Sequence, residues 1–226
     1  IVLDNSKSQN MSLADGTIYQ NFEVFQDVKT GNGNDKVIQS SLINNAAFRN
    51  NDSISTNDGN DTLNAGLGTL DSVNGGYGKD LLIVDYSQGD TGTGVYHILQ
   101  GVDSSANSAN GVWGYANRGY SDTDQTDLDR VNFSGIDQFQ ITGSKLNDRL
   151  QGWTNSDTLK GGAGNDTIYS GGEASGGKNE KDNLDGGAGI DYLVVNLSKQ
   201  EQNIVLDNTT GQNMSIADGS VYQNFE

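Results

Sequence analysis

Aliphatic side chains recur along this chain singly and in phase. Val37, Ile54, Leu63, Val73 and Leu82, then Leu150, Leu159, Ile168, Leu184 and Leu193, each stand two residues after an aspartate. Those aspartates are Asp35, Asp52, Asp61, Asp71 and Asp80 in a first block, and Asp148, Asp157, Asp166, Asp182 and Asp191 in a second. Most steps within a block are nine residues, with one of ten before Asp71 and longer ones of 17 before Asp52 and 16 before Asp182, which read as loop insertions. The pattern predicts a turn and then a short strand that points one side chain inward. The core it builds is thin. Each block closes on a hydrophobic exit strand, Leu81 to Tyr86 and Tyr192 to Leu197, and opens after a lead-in segment, Phe22 to Gly31 and Ile136 to Gly143, that ends in Thr-Gly.

The residues before each aspartate are rich in glycine. Two copies are complete, Gly161-Gly-Ala-Gly-Asn-Asp166-Thr-Ile-Tyr169 and Gly186-Gly-Ala-Gly-Ile-Asp191-Tyr-Leu-Val194. They read Gly-Gly-x-Gly-x-Asp-x-aliphatic-x, which resembles the RTX, or hemolysin-type, calcium-binding nonapeptide repeat. The resemblance implies an all-β fold of two calcium-binding parallel β-rolls joined by β-rich connecting segments. It also implies that the aspartate at position six is a calcium ligand.

The residue chemistry agrees. Successive glycines admit backbone conformations that a side chain would penalise and turn carbonyl oxygens toward a common point. Calcium takes six to eight oxygens, from carboxylates and carbonyls, and tolerates irregular geometry. If each nonapeptide is a turn plus a strand, two of them make a coil of about 18 residues and turn n stacks on turn n+2. Five turns per block leave three such gaps, hence on the order of six Ca2+ ions. The candidate ligands are the ten aspartates together with the turns at Gly31, Gly33, Gly59, Gly76, Gly78, Gly162, Gly164, Gly187 and Gly189, and Asn155, which stands where asparagine tolerates left-handed geometry. Repeats around Asp52 and Asp148 have lost most of their glycines. Degenerate turns such as that around Asp148 are expected to cap a block without closing an ion site.

Composition narrows the picture further. Of 226 residues, 33% are hydrophobic and 31 are glycine, too little apolar material for a core of ordinary thickness. The net charge of −17 is spread as regularly spaced aspartates, which favours multivalent cations as partners and excludes nucleic acid. With no cysteine, disulfides and thiolate metal sites are ruled out and hard oxygen ligands remain. The longest aliphatic run, Leu81 to Val84, is far too short to enter a membrane as a helix, so no membrane insertion is expected.

A longer period lies above the short one. Ile1 to Glu23 returns as Ile204 to Glu226, 203 residues later. The organisation expected is a connecting segment (1–30), a first roll (31–86), a connector (87–142), a second roll (143–198) and the start of the next copy (199–226). Neighbouring copies of the same repeat are therefore expected partners, within a longer array.

The connector holds the strand-like pieces Val95 to Ile98 and Arg130 to Phe133, and an aromatic patch, Gly111 to Tyr115 with Tyr120. Trp113 beside Tyr115 is a candidate for stacking on a sugar, such as a cell-surface polysaccharide; the competing reading is a hydrophobic cap on an open roll end. Asp122, Asp124, Asp127 and Asp129 crowd one segment, but no glycine or distal glutamate completes an EF-hand loop, so a solvated acidic loop is expected. His97 is the single histidine, which excludes a His-Glu-x-x-His zinc site, and nothing around it forms a nucleophile elbow. No catalytic residue is assigned, and no enzyme activity is expected.

Three functions compete: a calcium-stiffened structural or adhesive repeat of a secreted or cell-surface protein, such as an adhesin or S-layer component; a carbohydrate-binding module using Trp113; and the calcium and secretion region of an enzyme or toxin whose active part lies elsewhere. The resemblance implies export by type I secretion to the extracellular space or bacterial cell surface.

Overall fold

The computed structural model of the chain describes residues 1–4, 11–13, 18–19, 25–39, 51–66, 70–87, 95–102, 112–118, 129–153, 155–171, 181–198, 204–208, 213–216 and 218–225, with side chains omitted at 11, 12, 18, 19, 95–102, 112–118 and 129–130. Every regular element among them is a strand. The first block and its lead-in carry β1 (Val2–Asp4), β2 (Met11–Ser12), β3 (Ile18–Tyr19), β4 (Asp27–Lys29), β5 (Lys36–Ile38), β6 (Ser53–Ser55), β7 (Thr62–Asn64), β8 (Asp71–Asn74) and β9 (Leu81–Asp85). The connector carries β10 (Val95–Val102), β11 (Val112–Arg118), β12 (Asp129–Ile136) and β13 (Gln138–Thr142). The second block and the segment after it carry β14 (Arg149–Gln151), β15 (Thr158–Ala163), β16 (Thr167–Tyr169), β17 (Asn183–Ala188), β18 (Tyr192–Val194), β19 (Met214–Ser215) and β20 (Val221–Gln223).

Alternate strands fall in alternate sheets. One nine-stranded sheet runs β1-β5-β7-β9-β13-β15-β17-β20-β19, and a second runs β18-β16-β14-β10-β11-β12-β8-β6-β4. Strands of the roll blocks pair in parallel with the strand two repeats away, as β5 does with β7, β6 with β8, β14 with β16 and β15 with β17. This is the n to n+2 stacking that a turn plus a short strand per nonapeptide requires.

The predicted inward residues form the core. Val37, Leu63 and Leu82 stack in one register, and Ile141, Leu159, Leu184 and Tyr222 in another, all on the first sheet. Ile54, Val73 and Phe133 line up on the second sheet, as do Leu150, Ile168 and Leu193. All of these are buried except Leu193, which lies partly buried near the sheet end.

Both sheets run through both blocks, because the connector is spliced into them. The antiparallel run β10-β11-β12 sits between β14 and β8, and β13 sits between β9 and β15. Strand β13 is five residues long and supplies two inward side chains: Phe139 faces Leu82 of the first block, Ile141 faces Leu159 of the second. The second block is thus offset from the first by one dipeptide. At this splice the core widens around an edge-on Phe133–Phe139 pair with ring centroids 5.2 Å apart. His97 lies in β10, opposite Ala116, and Trp113 lies in β11, opposite Gly101. Gly111, Tyr120, Asp122, Asp124 and Asp127 lie outside the described residues, so their expected roles rest on sequence alone.

Candidate metal centre

The glycines of a turn are fixed by the turn stacked on them. A Cβ on Gly78 would lie 1.7 Å from the carbonyl oxygen of Gly59, and one on Gly189 would lie 1.7 Å from that of Gly164. The same two glycines hold φ of 139° and 145°, a region L side chains rarely adopt. Close approach and backbone shape therefore select glycine together. Gly33, Gly59, Gly76, Gly162, Gly164 and Gly187 share the positive φ. Gly31 does not, and open space surrounds its Cβ position. Asn155 departs from expectation: its φ is not positive, and its amide Nδ2 donates to the carbonyl of Asp137 at 3.3 Å. The hydrogen bond holds the side chain across the stack, so left-handed geometry is not needed there.

All ten predicted aspartates are buried, and they come together in stacks. The N–H of Asp35 donates to Oδ1 of Asp61 at 2.8 Å, and that of Asp61 to Oδ1 of Asp80 at 2.9 Å. Asp52 N–H donates likewise to Asp71, Asp148 to Asp166, Asp166 to Asp191, and Asp157 to Asp182, at 2.7 to 3.0 Å. One carboxylate oxygen of each acceptor is thereby committed to the preceding turn.

The other oxygen distinguishes the sites. Oδ2 of Asp35, Asp61, Asp80 and Asp166, and Oδ1 of Asp52, are buried without a hydrogen-bond partner. Oδ2 of Asp166 lies beside the first glycine of its own turn, where a Cβ on Gly161 would meet it at 2.2 Å and the carbonyl oxygen of Gly186 at 2.3 Å. Gly75 sees the same pair, Asp80 Oδ2 at 2.7 Å and Gly135 oxygen at 2.3 Å. Asp148 and Asp157 differ, because a residue four places earlier in the same loop, Ser144 or Trp153, bonds each of them. Ser144 donates its N–H and Oγ–H to Asp148 at 2.5 and 2.9 Å, and the N–H groups of Phe139 and Trp153 donate to Asp157 at 2.8 and 2.6 Å. Asp52 also accepts a short hydrogen bond from the Gln39 amide.

Burying negative carboxylates side by side is unfavourable unless a cation joins them. Burial pushes the Asp166 carboxyl up to about 7, with the Asp148 N–H opposing and the charges of Asp148 and Asp191 adding. Asp80 is likewise pushed up to about 7 by burial, opposed by the Asp61 N–H and reinforced by Asp61 and Asp137. Burial raises Asp52, Asp182 and Asp137 to about 6. The lysine ion pairs seen, Lys29–Asp27 and Lys36–Asp4, lie outside the motif aspartates. Among the described residues no three acidic or histidine side chains converge, so backbone carbonyls must supply most of any coordination sphere. Carboxylates backed by carbonyls are a hard, all-oxygen donor set, which suits calcium.

Two features were not singled out from sequence. The first is a second ladder built by the asparagine before four of the aspartates. Oδ1 of Asn34 accepts the N–H of Asn60, Asn60 that of Lys79, Asn147 that of Asn165, and Asn165 that of Ile190, at 2.8 to 2.9 Å. It runs opposite to the aspartate ladder, and each series stops where Lys79 or Ile190 replaces asparagine. The recurring Asn-Asp pairs at 34–35, 51–52, 60–61, 147–148 and 165–166 were its visible signal. The second is Asp137, at the corner between β12 and β13, whose Oδ2 accepts the N–H of Asp80 at 3.2 Å. It takes the place of a motif aspartate above the last turn of the first block. Its signal was Gly135-x-Asp137-x-Phe139, with an aromatic where the repeat has an aliphatic residue.

A family model described as the RTX calcium-binding nonapeptide repeat matches the chain in four copies, over residues 49–69 and 142–174. No curated protein matches it. The described residues within these matches are turns and strands of the two roll blocks described above. With turns that stack at n+2, glycines that admit no side chain and a buried carboxylate at position six, the two roll blocks carry RTX nonapeptide repeats of the calcium-binding kind.

Proposed function

We propose that this chain is a calcium-folded structural module of a secreted or bacterial cell-surface protein, without catalytic activity, that serves as a stiff or adhesive repeat. The observation that carries the reading is the set of buried carboxylate oxygens without a hydrogen-bond partner on Asp35, Asp61, Asp80 and Asp166, with those of Asp80 and Asp166 set against Gly75 and Gly161 of their own turns. On the order of six ions would lie in the n to n+2 gaps of rolls 31–86 and 143–198. Asp35, Asp61, Asp80, Asp166 and Asp191 would be the principal ligands, Asp52, Asp71 and Asp182 secondary ones, and Asp148 and Asp157 structural.

Without calcium, stacked carboxylates repel, and a core one side chain deep per strand cannot offset chain entropy. Ion binding then supplies folding free energy, as in other metal-dependent folds. A chain that stays unfolded at low cytosolic calcium and folds outside is suited to type I secretion. The test is circular dichroism in chelator and then in millimolar calcium, with bound calcium counted by atomic emission. Random coil that becomes β structure with several ions per chain is expected; a calcium-independent β spectrum overturns the reading.

A further inference from the structure

Residues 1–23 and 204–226 are identical at 17 of 23 positions, so the structure shows one sequence in two settings. In both it makes the same hairpin, Met11 opposite Tyr19 and Met214 opposite Tyr222. What differs is what the hairpin meets. The second copy docks on the end of the roll: β20 pairs in parallel with β17, and Val221 N–H donates to the Asp182 carbonyl at 2.7 Å.

The docked hairpin imitates a nonapeptide turn. Ser220 Oγ accepts the Asp182 N–H at 3.0 Å, the bond a motif aspartate would accept. The carbonyl oxygen of Asn224 lies 2.1 Å from where a Cβ on Gly186 would be, the place that Gly186 oxygen takes above Gly161. Asn224 reaches this with φ of 55°, and its Nδ2 donates to Asp185 at 2.6 Å. Tyr222, Ile216 and Phe225 are buried in the core. The first copy has the same or equivalent residues at each position, Thr17, Tyr19, Asn21, Leu13 and Phe22. Yet β2 and β3 form a sheet of two strands only, and an isolated hairpin is marginally stable.

The other half of the segment shows the converse. Strand β1 pairs with β5 and lies beside β2. Its copy, Ile204, Val205 and Leu206, is outside any strand and 37%, 73% and 44% exposed, three consecutive apolar residues in a chain that has few.

We infer that this 23-residue segment is a two-sided joint for a second copy of the chain, its hairpin docking on β17 of the copy before and its Ile-Val-Leu strand pairing with β5 of the copy after. The hairpin then extends the first sheet of one copy at β17 and the Ile-Val-Leu strand extends that of the next at β5, with β1 lying beside β2 between them. Successive modules form one stiff rod, and an edge strand that would otherwise invite aggregation is covered. The inference deepens the structural-module reading, and its test is independent of the calcium count.

A double-length chain, with residues 24–226 appended after Glu226, would be compared with the single chain in saturating calcium by hydrogen exchange. The amide of Leu206, the copy of Leu3, should exchange at least tenfold more slowly in the double-length chain, with those of Val221 and Gln223 protected in both. Because the chain has no cysteine, Val205→Cys combined with Lys36→Cys in the appended copy should form an intramolecular disulfide under mild oxidation. Equal exchange at Leu206 in both chains, or absence of that disulfide while both copies hold their calcium, overturns the joint. Loss of calcium binding in the single chain would instead count against the module reading.

Discussion

The N–H of Asp61 donates to Oδ1 of Asp80 at 2.9 Å, and Oδ2 of Asp80 is left buried without a hydrogen-bond partner. One carboxylate thus does two jobs with two oxygens. The first fixes the register of one turn on the next, and the second is free for an ion. Folding and metal binding are joined at the level of a single side chain, which gives substitutions at these positions separable effects.

Asp166 offers the clearest separation. Asp166→Ala should orphan the buried N–H of Asp148 and remove a ligand, costing about 1–3 kcal/mol from the hydrogen bond alone. Asp166→Asn keeps an acceptor for that N–H and removes the charge. In calcium titrations followed by circular dichroism, Asn should fall between wild type and Ala in transition midpoint, and both variants should hold fewer ions than wild type.

Glycines should divide by stacking rather than by motif position. Gly189→Ala places a methyl 1.7 Å from the Gly164 carbonyl at φ 145° and should cost well over about 1 kcal/mol. Gly31→Ala meets nothing within 4 Å and should leave the thermal midpoint in calcium nearly unchanged. Equal damage from the two would contradict the stacking account.

Acid should partly replace calcium. Asp80 and Asp166 rise from an ordinary 3.8 to about 7 in the folded chain, so the fold holds more protons than the unfolded chain between those values. Folded-state stability in chelator should therefore fall as pH rises from about 4 to about 7 and level off above. Residual β structure in chelator should be greater at pH 5 than at pH 8. Calcium binding to the fraction that acid keeps folded at pH 5 should release protons, visible in calorimetry as a heat that depends on buffer ionisation enthalpy.

The asparagine ladder should matter for stability and not for ion number. Asn165→Ala removes the acceptor for Ile190 N–H at an exposed site and should cost about 0.5–1.5 kcal/mol. Its ion count by native mass spectrometry should equal that of wild type. A lost ion would make Asn165 part of the coordination shell.

Aspartate, and an aliphatic residue two places later, was enough to read strand positions, inward side chains and n to n+2 stacking, because a short turn followed by a short strand is set by local backbone geometry. That determined an all-β roll with buried acidic turns, and glycine marked where neighbouring turns approach. Sequence was silent where long-range placement decides. Nothing local says that β13 must carry both Phe139 and Ile141 inward and so join two blocks offset by a dipeptide. The same holds for Asp137, which becomes a rung above Asp80 through a contact 57 residues away in sequence. Asp148 and Asp166 carry the same motif position, yet Ser144 occupies the oxygens of one while Oδ2 of the other stays unpartnered. The repeating pattern determined which carboxylates are buried; only tertiary stacking decided which of their oxygens the protein satisfies itself, because that depends on what the neighbouring turn and loop bring within hydrogen-bond reach.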